Sequence, residues 1–280
     1  MDWLSSWNQA LDYLEENLDG KIDLRALGRL AGCSAYHFQR MFSYLAGTPL
    51  GEYVRRRRMT RAAADLQNGE RVLDVALRYG YESPTAFNRA FQAVHGVPPS
   101  QAKQIGVKLK AFPRIRFKFV LKGAEEMEYQ IVKREAFRIV GFRMPLPMDV
   151  EESFQAVPGF WMETGPRQAE LLPLMNGEPA GILGVSTCGE AENYYYIAAA
   201  SSAPVPEGMH EWIVPAAAWA VFTGTGRLPE AIQTLQKRIV TEYLPDSGFE
   251  WAKAPDIEVY LDPPGENSRF QVWLPVVAKR

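Results

Sequence analysis

The sequence predicts a multidomain chain: an all-α unit with two helix-turn-helix motifs over residues 1–110, a linker at 111–126, and an α+β unit with an internal pseudo-repeat over 127–280. Three observations predict it. A helix, a Gly-containing turn and a second helix carrying polar groups occur twice, at residues 24–42 and 72–91. From Met127 onward the apolar spacing changes from helical to alternating. Within that second part, a strand, a helix and a two-strand hairpin recur around residues 137–200 and 217–277. A chain of 280 residues also exceeds what one core usually organises, and 47% apolar content can build more than one.

The N-terminal elements follow from local chemistry. Residues 3–14 carry Trp3, Trp7, Leu11 and Leu14 at helical spacing. In each later motif a Gly (Gly32, Gly80) closes one helix, because a helix commonly leaves through a left-handed residue. A Ser (Ser34, Ser83) then opens the next by accepting from an orphan amide, and Pro84 suits the first helical position. Phe38, Met41 and Phe42, like Phe87 and Phe91, form a buried stripe. Tyr36, Gln39 and Arg40, and in the second copy Thr85, Asn88 and Arg89, fall on another face, and such side chains suit base edges and phosphates. Between the motifs a helix over 50–67 carries Arg55, Arg56, Arg57, Arg58 and Arg61, read as phosphate contacts.

Charge supports a nucleic-acid face on this half alone. Residues 1–110 hold 15 basic against 11 acidic side chains, net +4, and residues 21–110 are net +9 because the first twenty hold five acids and no base. Residues 111–280 hold 16 against 22, net −6, so the overall −2 conceals the basic unit. No apolar run is long enough to cross a membrane and no secretory leader opens the chain, so a cytoplasmic protein is expected. Cys33 and Cys188 form no metal or redox motif, and His37, His95 and His210 do not cluster, so neither a metal nor a cofactor is expected.

Residues 8–104 resemble the DNA-binding domain of AraC/XylS-family transcription regulators of the MarA and Rob type. The resemblance rests on 27–31 with Ser34, His37, Arg40 and Phe42, on 47–54 and 58–62, and on Val75, Ala76 and 80–83 with Phe87, Arg89, Phe91 and 96–100. It implies two recognition helices in successive major-groove segments of double-stranded promoter DNA, about 34 Å apart. Tyr36, Gln39 and Arg40, then Thr85, Asn88 and Arg89, would occupy the base-reading positions. Pro84 narrows what the second helix can read, and Ala102 and Lys103 depart from the family's usual Tyr-Arg. An activator that also contacts RNA polymerase, working as a monomer because both readers sit on one chain, is what the resemblance implies.

Residues 105–126 interleave Lys and Arg with Phe and Val and read as an extended tethered segment. Beyond it, strands are expected at 129–132, 138–143, 180–186, 193–199, 210–214, 218–224, 256–261 and 269–277, and helices at 166–175 and 229–243. Their order, with 256–260 and 270–276, resembles the GyrI-like effector-binding domain. A small hydrophobic or aromatic effector is then expected, since aromatic walls hold flat ligands and cations. Alternation pairs Tyr194 with Tyr196, Glu258 with Tyr260, and Gln271 with Trp273; these faces, with Trp161 and Trp219, are expected to line the cleft between the repeats.

Family members that bind cationic drugs usually carry Glu two residues before the terminal-strand aromatic, where this chain has Gln271. A pocket for neutral aromatics is expected unless Glu258 or Glu163 supplies the charge. Some relatives resemble hydrolases; an amide is no general base, so an enzyme is not expected. A C-terminal unit that docks a protein partner is the other alternative.

Overall fold

The computed structural model describes residues 3–118, 126–147, 150–187 and 193–279. Their contacts divide the chain into two compact units, one chiefly of residues 1–119 and one chiefly of 120–280.

In the helical unit, α1 (Trp3–Glu16) precedes α2 (Leu24–Ala31) and α3 (Ala35–Ala46). The long α4 (Leu50–Gln67) leads to α5 (Val72–Arg78), α6 (Pro84–His95) and the short α7 (Pro99–Ala102). Gly32 and Gly80 stand at φ +76° and +81°, the left-handed region a turn between helices needs. Ser83 caps α6, its side chain accepting from the Ala86 N–H, with Pro84 in the first turn. Two apolar layers result. Trp7 stacks on Phe38 at 4.8 Å in the first, and Met59, Leu66, Val75, Phe87 and Phe91 fill the second.

Residues 107–118, partly assigned to the linker from sequence, are instead fastened along this unit. Phe117 exchanges two backbone hydrogen bonds with the Asn8 amide at 3.1 Å, and its ring meets Trp7 and Phe42. The Ile115 N–H donates to the Tyr53 hydroxyl (3.1 Å), and the Phe112 N–H to Thr60 Oγ1 (3.1 Å). The Lys110 N–H donates to His95 Nδ1 at 3.2 Å, while His95 Nε2 meets the Met59 carbonyl at 3.0 Å. Those partners require the neutral Nε2–H tautomer. Burial holds the His95 imidazolium form down in pKa, so the unfolded chain takes up a proton first as pH falls. Thermal stability of this unit is therefore expected to be level above about pH 7 and to decline below about 6.5. Melting His95→Gln, which keeps an amide donor and acceptor, over the same range should show a flatter slope; an unchanged slope would assign the loss elsewhere.

The second unit is one antiparallel sheet with helices on one face. Its elements are β1 (Tyr129–Arg134), β2 (Phe137–Pro145), α8 (Val150–Thr164), a 3-10 segment (Gly165–Leu174), β3 (Ile182–Ser186), β4 (Tyr194–Ala200) and β5 (His210–Val214). Then come β6 (Ala217–Gly226), α9 (Glu230–Arg238) running into a π-turn (Ile239–Tyr243), β7 (Phe249–Trp251), β8 (Asp256–Tyr260) and β9 (Ser268–Ala278). The sheet order is β1-β6-β9-β8-β3-β4-β2-β5, with β7 on β9. β2-α8-β3-β4 and β6-α9-β8-β9 are thus the two repeats, meeting at the β3–β8 pair. Each repeat's leading strand is exchanged, β1 pairing with β6 of the second repeat and β5 with β2 of the first.

The helix expected at 166–175 is 3-10, and α8 ahead of it went unread. Along each strand, side chains alternate between two buried faces. The sheet curls until Phe137 on β2 meets Trp219 on β6, ring centroids 6.3 Å apart. Its concave side holds Val185, Tyr196, Trp219, Val221, Ile257, Val259 and Trp273 as a closed core. On the convex side, Phe142, Tyr195 and Ile197 pack under Phe160, Trp161 and Leu171, while Leu235 of α9 lies over Gly224 and Phe270.

Candidate DNA interface and effector site

Within α3, Tyr36, Gln39 and Arg40 lie on the arc opposite Phe38 and Phe42. The Arg40 guanidinium lies 5.9 Å from the Tyr44 ring centroid. In α6, Thr85, Asn88 and Arg89 are exposed while Phe87 and Phe91 point inward. Helical spacing thus leaves the reading groups exposed in α6, whereas in α3 Tyr36, Gln39 and Arg40 are buried, at 7%, 4% and 7% exposure.

The arginine run divides in two. Arg55 and Arg56 bind Glu52 and remain about two-fifths exposed, at 40% and 41%. Arg57 does not face outward as expected. Its Nε and Nη2 donate to the two Glu15 carboxylate oxygens, each at 2.8 Å, its Nη1 donates to the Phe112 carbonyl, and the side chain is 12% exposed. Tyr53 donates to the same carboxylate at 2.6 Å. Arg61 donates to the Glu15 carbonyl (2.7 Å), and Arg58 to the Leu18 and Gly20 carbonyls at 2.8 and 2.6 Å. For Arg57 the reason is Glu15, 2% exposed, because a buried carboxylate needs both cations and donors. Burial alone would raise its pKa, but hydrogen bonds from Arg57 and Tyr53 and the charges of Arg57 and Arg61 pull it below the usual range. Of the five expected phosphate contacts, Arg57 is thus turned inside the unit, while Arg58 and Arg61 hold backbone carbonyls and Arg61 stays 40% exposed.

The expected effector residues fall on opposite faces of the sheet. Glu258 pairs in register with Gly184 on β3 and Val272 on β9, and its side chain rises on the convex, helix-covered side. Its Oε2 accepts from the hydroxyls of Tyr260 (2.8 Å) and Tyr195 (3.4 Å), and its Oε1 from the Gln236 amide at 2.5 Å. Trp161 of α8 donates its indole N–H to the Tyr195 hydroxyl at 3.0 Å and meets the Tyr260 ring edge-on at 4.8 Å. Gly184 makes room: a Cβ there would collide with the Tyr195 hydroxyl and lie 3.1 Å from Glu258 Oε2. One carboxylate, two phenols, an indole and an amide therefore converge at the repeat boundary, from both repeats.

Tyr194, Tyr196, Trp219, Gln271 and Trp273 do not join them. Tyr196, Trp219 and Trp273 belong to the concave core, with Tyr194 packed against it. The Trp219 indole donates to the Pro255 carbonyl (3.2 Å), and the Trp273 indole to Gln271 Oε1 at 2.9 Å, so that amide serves a neighbouring ring. Glu163 is exposed on α8. Sequence reading missed Tyr195, Gln236 and Gly184; alternation within 194–196 sets Tyr195 apart from its neighbours and was the available signal. Among the described residues, no group of three His, Cys, Asp or Glu could hold a metal ion, and no helix is long and apolar enough to cross a membrane.

Residues 127–277 match the GyrI-like small molecule binding domain, and residues 27–105 match a helix-turn-helix domain family. The HTH-type transcriptional activator AarP of Providencia stuartii is 38% identical over 94 residues, covering 33% of this chain and 70% of AarP. The multiple antibiotic resistance protein MarA of Escherichia coli (strain K12) is 36% identical over 99 residues, covering 35% of this chain and 78% of MarA. Among solved structures, a putative bacterial transcription regulation protein from Staphylococcus aureus MU50 shares 24% identity at a TM-score of 0.47, over 54% of this chain and 99% of that one. The chain belongs to the AraC/MarA-type DNA-binding transcription regulators, its helix-turn-helix domain followed by a GyrI-like small molecule binding domain.

Proposed function

We propose that the chain is a cytoplasmic, monomeric activator that contacts RNA polymerase and responds to a hydrophobic aromatic effector, bound where Glu258, Tyr260, Tyr195 and Trp161 converge. That convergence carries the reading: donors hold a carboxylate in place among ring faces and edges, which suits an aromatic cation. Activation is supported by the relative AarP, named a transcriptional activator. A monomer suffices because both recognition helices belong to one chain. Saturable binding of a small aromatic dye to the full chain, displaced by a second aromatic, tests the effector site against a protein-docking role. A carboxylate beside two phenols is also a general base with donors, so hydrolysis of a strained electrophile is the competing reading. Product formed by the wild-type chain and lost in Glu258→Gln would favour it.

On DNA, Tyr36, Gln39, Arg40, Thr85, Asn88 and Arg89 read bases, while Arg55 and Arg56 meet phosphates. Arg40→Ala or Arg89→Ala is expected to cost about 1–3 kcal/mol on a duplex selected for wild-type binding and far less on random duplex. Fluorescence anisotropy on both duplexes decides it, and equal losses on the two would remove the base-reading role.

A further inference from the structure

The two halves of the helical unit share α4, whose Tyr53 faces the layer of Phe42 while Met59, Ala62 and Leu66 enter the second core. A single rod through two bodies fixes their separation but resists rolling about its own axis poorly. Residues 107–118 supply a second connection. Starting from the second half, Leu109 packs on that half's core and the Lys110 N–H is held by His95 at the end of α6. The chain then crosses α4, where Thr60 Oγ1 accepts from the Phe112 N–H, Arg57 donates to the Phe112 carbonyl, and the Arg56 guanidinium covers the Phe112 ring at 5.1 Å. It ends on the first half, with the Phe117 backbone on Asn8 of α1 and the Phe117 ring against Trp7 and Phe42. Backbone groups of this strap are therefore held by side chains from α6, α4 and α1 in turn. Such hooks give direction as well as attachment, because hydrogen bonds weaken steeply off axis.

We propose that this strap is the positioning element that sets the relative roll of the two recognition helices, and with it the half-site spacing the chain accepts on DNA. The inference rests on the DNA-reading proposal above. Phe42 and His95, which the strap touches, belong to α3 and α6 themselves, so the tie acts directly on the two readers. On duplex DNA, one inserted base pair turns a half-site by roughly 35° about the axis. A braced pair of readers rejects that geometry, while a loosened pair rolls to follow it.

The test uses the full chain and a duplex selected in vitro with it, together with the same duplex carrying one base pair inserted between the two protected half-sites. Wild type is expected to lose about tenfold or more on the inserted duplex, the scale of a protein or DNA deformation cost. Asn8→Ala/Thr60→Val should bring the two duplexes to within about threefold of each other. Thr60→Ser keeps the acceptor and should retain the wild-type ratio. A folded double variant with the wild-type ratio, or with equal losses on both duplexes, overturns the proposal, since lost stability alone lowers both alike. Should the double variant fail to fold, Thr60→Val alone is read by the same ratio. Wild-type protein that shows no preference for the selected duplex over random DNA would instead overturn the DNA-reading proposal on which this one stands.

Discussion

Replacing Arg57 by Ala is expected to destabilise the helical unit by about 3–5 kcal/mol, and to leave the salt dependence of DNA binding by the folded protein nearly unchanged. The expectation follows from what remains behind. Glu15 is 2% exposed, and without Arg57 its carboxylate keeps Tyr53 but loses two charge-assisted hydrogen bonds, with Arg61 at 3.6 Å the cation that remains among the described residues. The Phe112 carbonyl loses its donor in the same step. A Glu15→Met/Arg57→Met variant should recover much of the loss, since no unpaired charge is then buried. By contrast, Arg55→Ala or Arg56→Ala should leave the unfolding free energy within about 0.5 kcal/mol of wild type. Each should also reduce the slope of log affinity against log salt by about 0.9 if it meets one phosphate. Thermal melts and a salt titration of the same three variants separate the roles. A stable Arg57→Ala protein with a flattened salt slope would return that side chain to the DNA face.

The difference between Arg57 and Arg56 could not be read from the run itself. All four arginines are consecutive, and what turns one inward is a carboxylate 42 residues earlier in the chain. Local signals fared better: Gly80, Ser83 and Pro84 set the second turn, and Gly96 at φ +79° ends α6, because the chemistry of a turn or cap lies within a few residues. In the second unit, the repeat and the positions along the chain of β1 to β6, β8 and β9 were legible from alternation, while β7 and the order of strands in the sheet were not. α8 was not, since Pro158 inside it reads as a breaker. Nor was the choice of face. Alternation correctly grouped Tyr194 with Tyr196 and Gln271 with Trp273, but this sheet is apolar on both sides, so the pattern cannot say which side carries helices. The curl that closes the concave side arises from contacts such as Phe137 with Trp219, which period-two spacing does not encode.

That choice of face governs the charge preference of the effector site. Glu258→Gln is expected to weaken binding of a cationic triarylmethane dye, crystal violet, by about 2 kcal/mol, roughly thirtyfold, and to leave its neutral leuco form within about twofold. The amide keeps the size of the side chain, its oxygen can still accept from the Tyr260 and Tyr195 hydroxyls, and its NH2 then faces Gln236, whose own amide flips to accept, so what it removes is the charge. Gln271→Glu should behave in the opposite way from a simple gain of cation affinity. Its side chain lies on the concave side and accepts from the Trp273 indole, where Trp273 is 3% exposed, so a carboxylate there carries a desolvation cost. The expected result is a lower melting temperature with crystal violet affinity unchanged. Titrating both dyes into wild type, Glu258→Gln and Gln271→Glu gives the answer in one experiment. Cation binding that strengthens in Gln271→Glu would place the effector on the concave side after all, whereas equal losses of both dyes in Glu258→Gln would make the Glu258 carboxylate a support for Tyr195 and Tyr260 rather than the counter-charge.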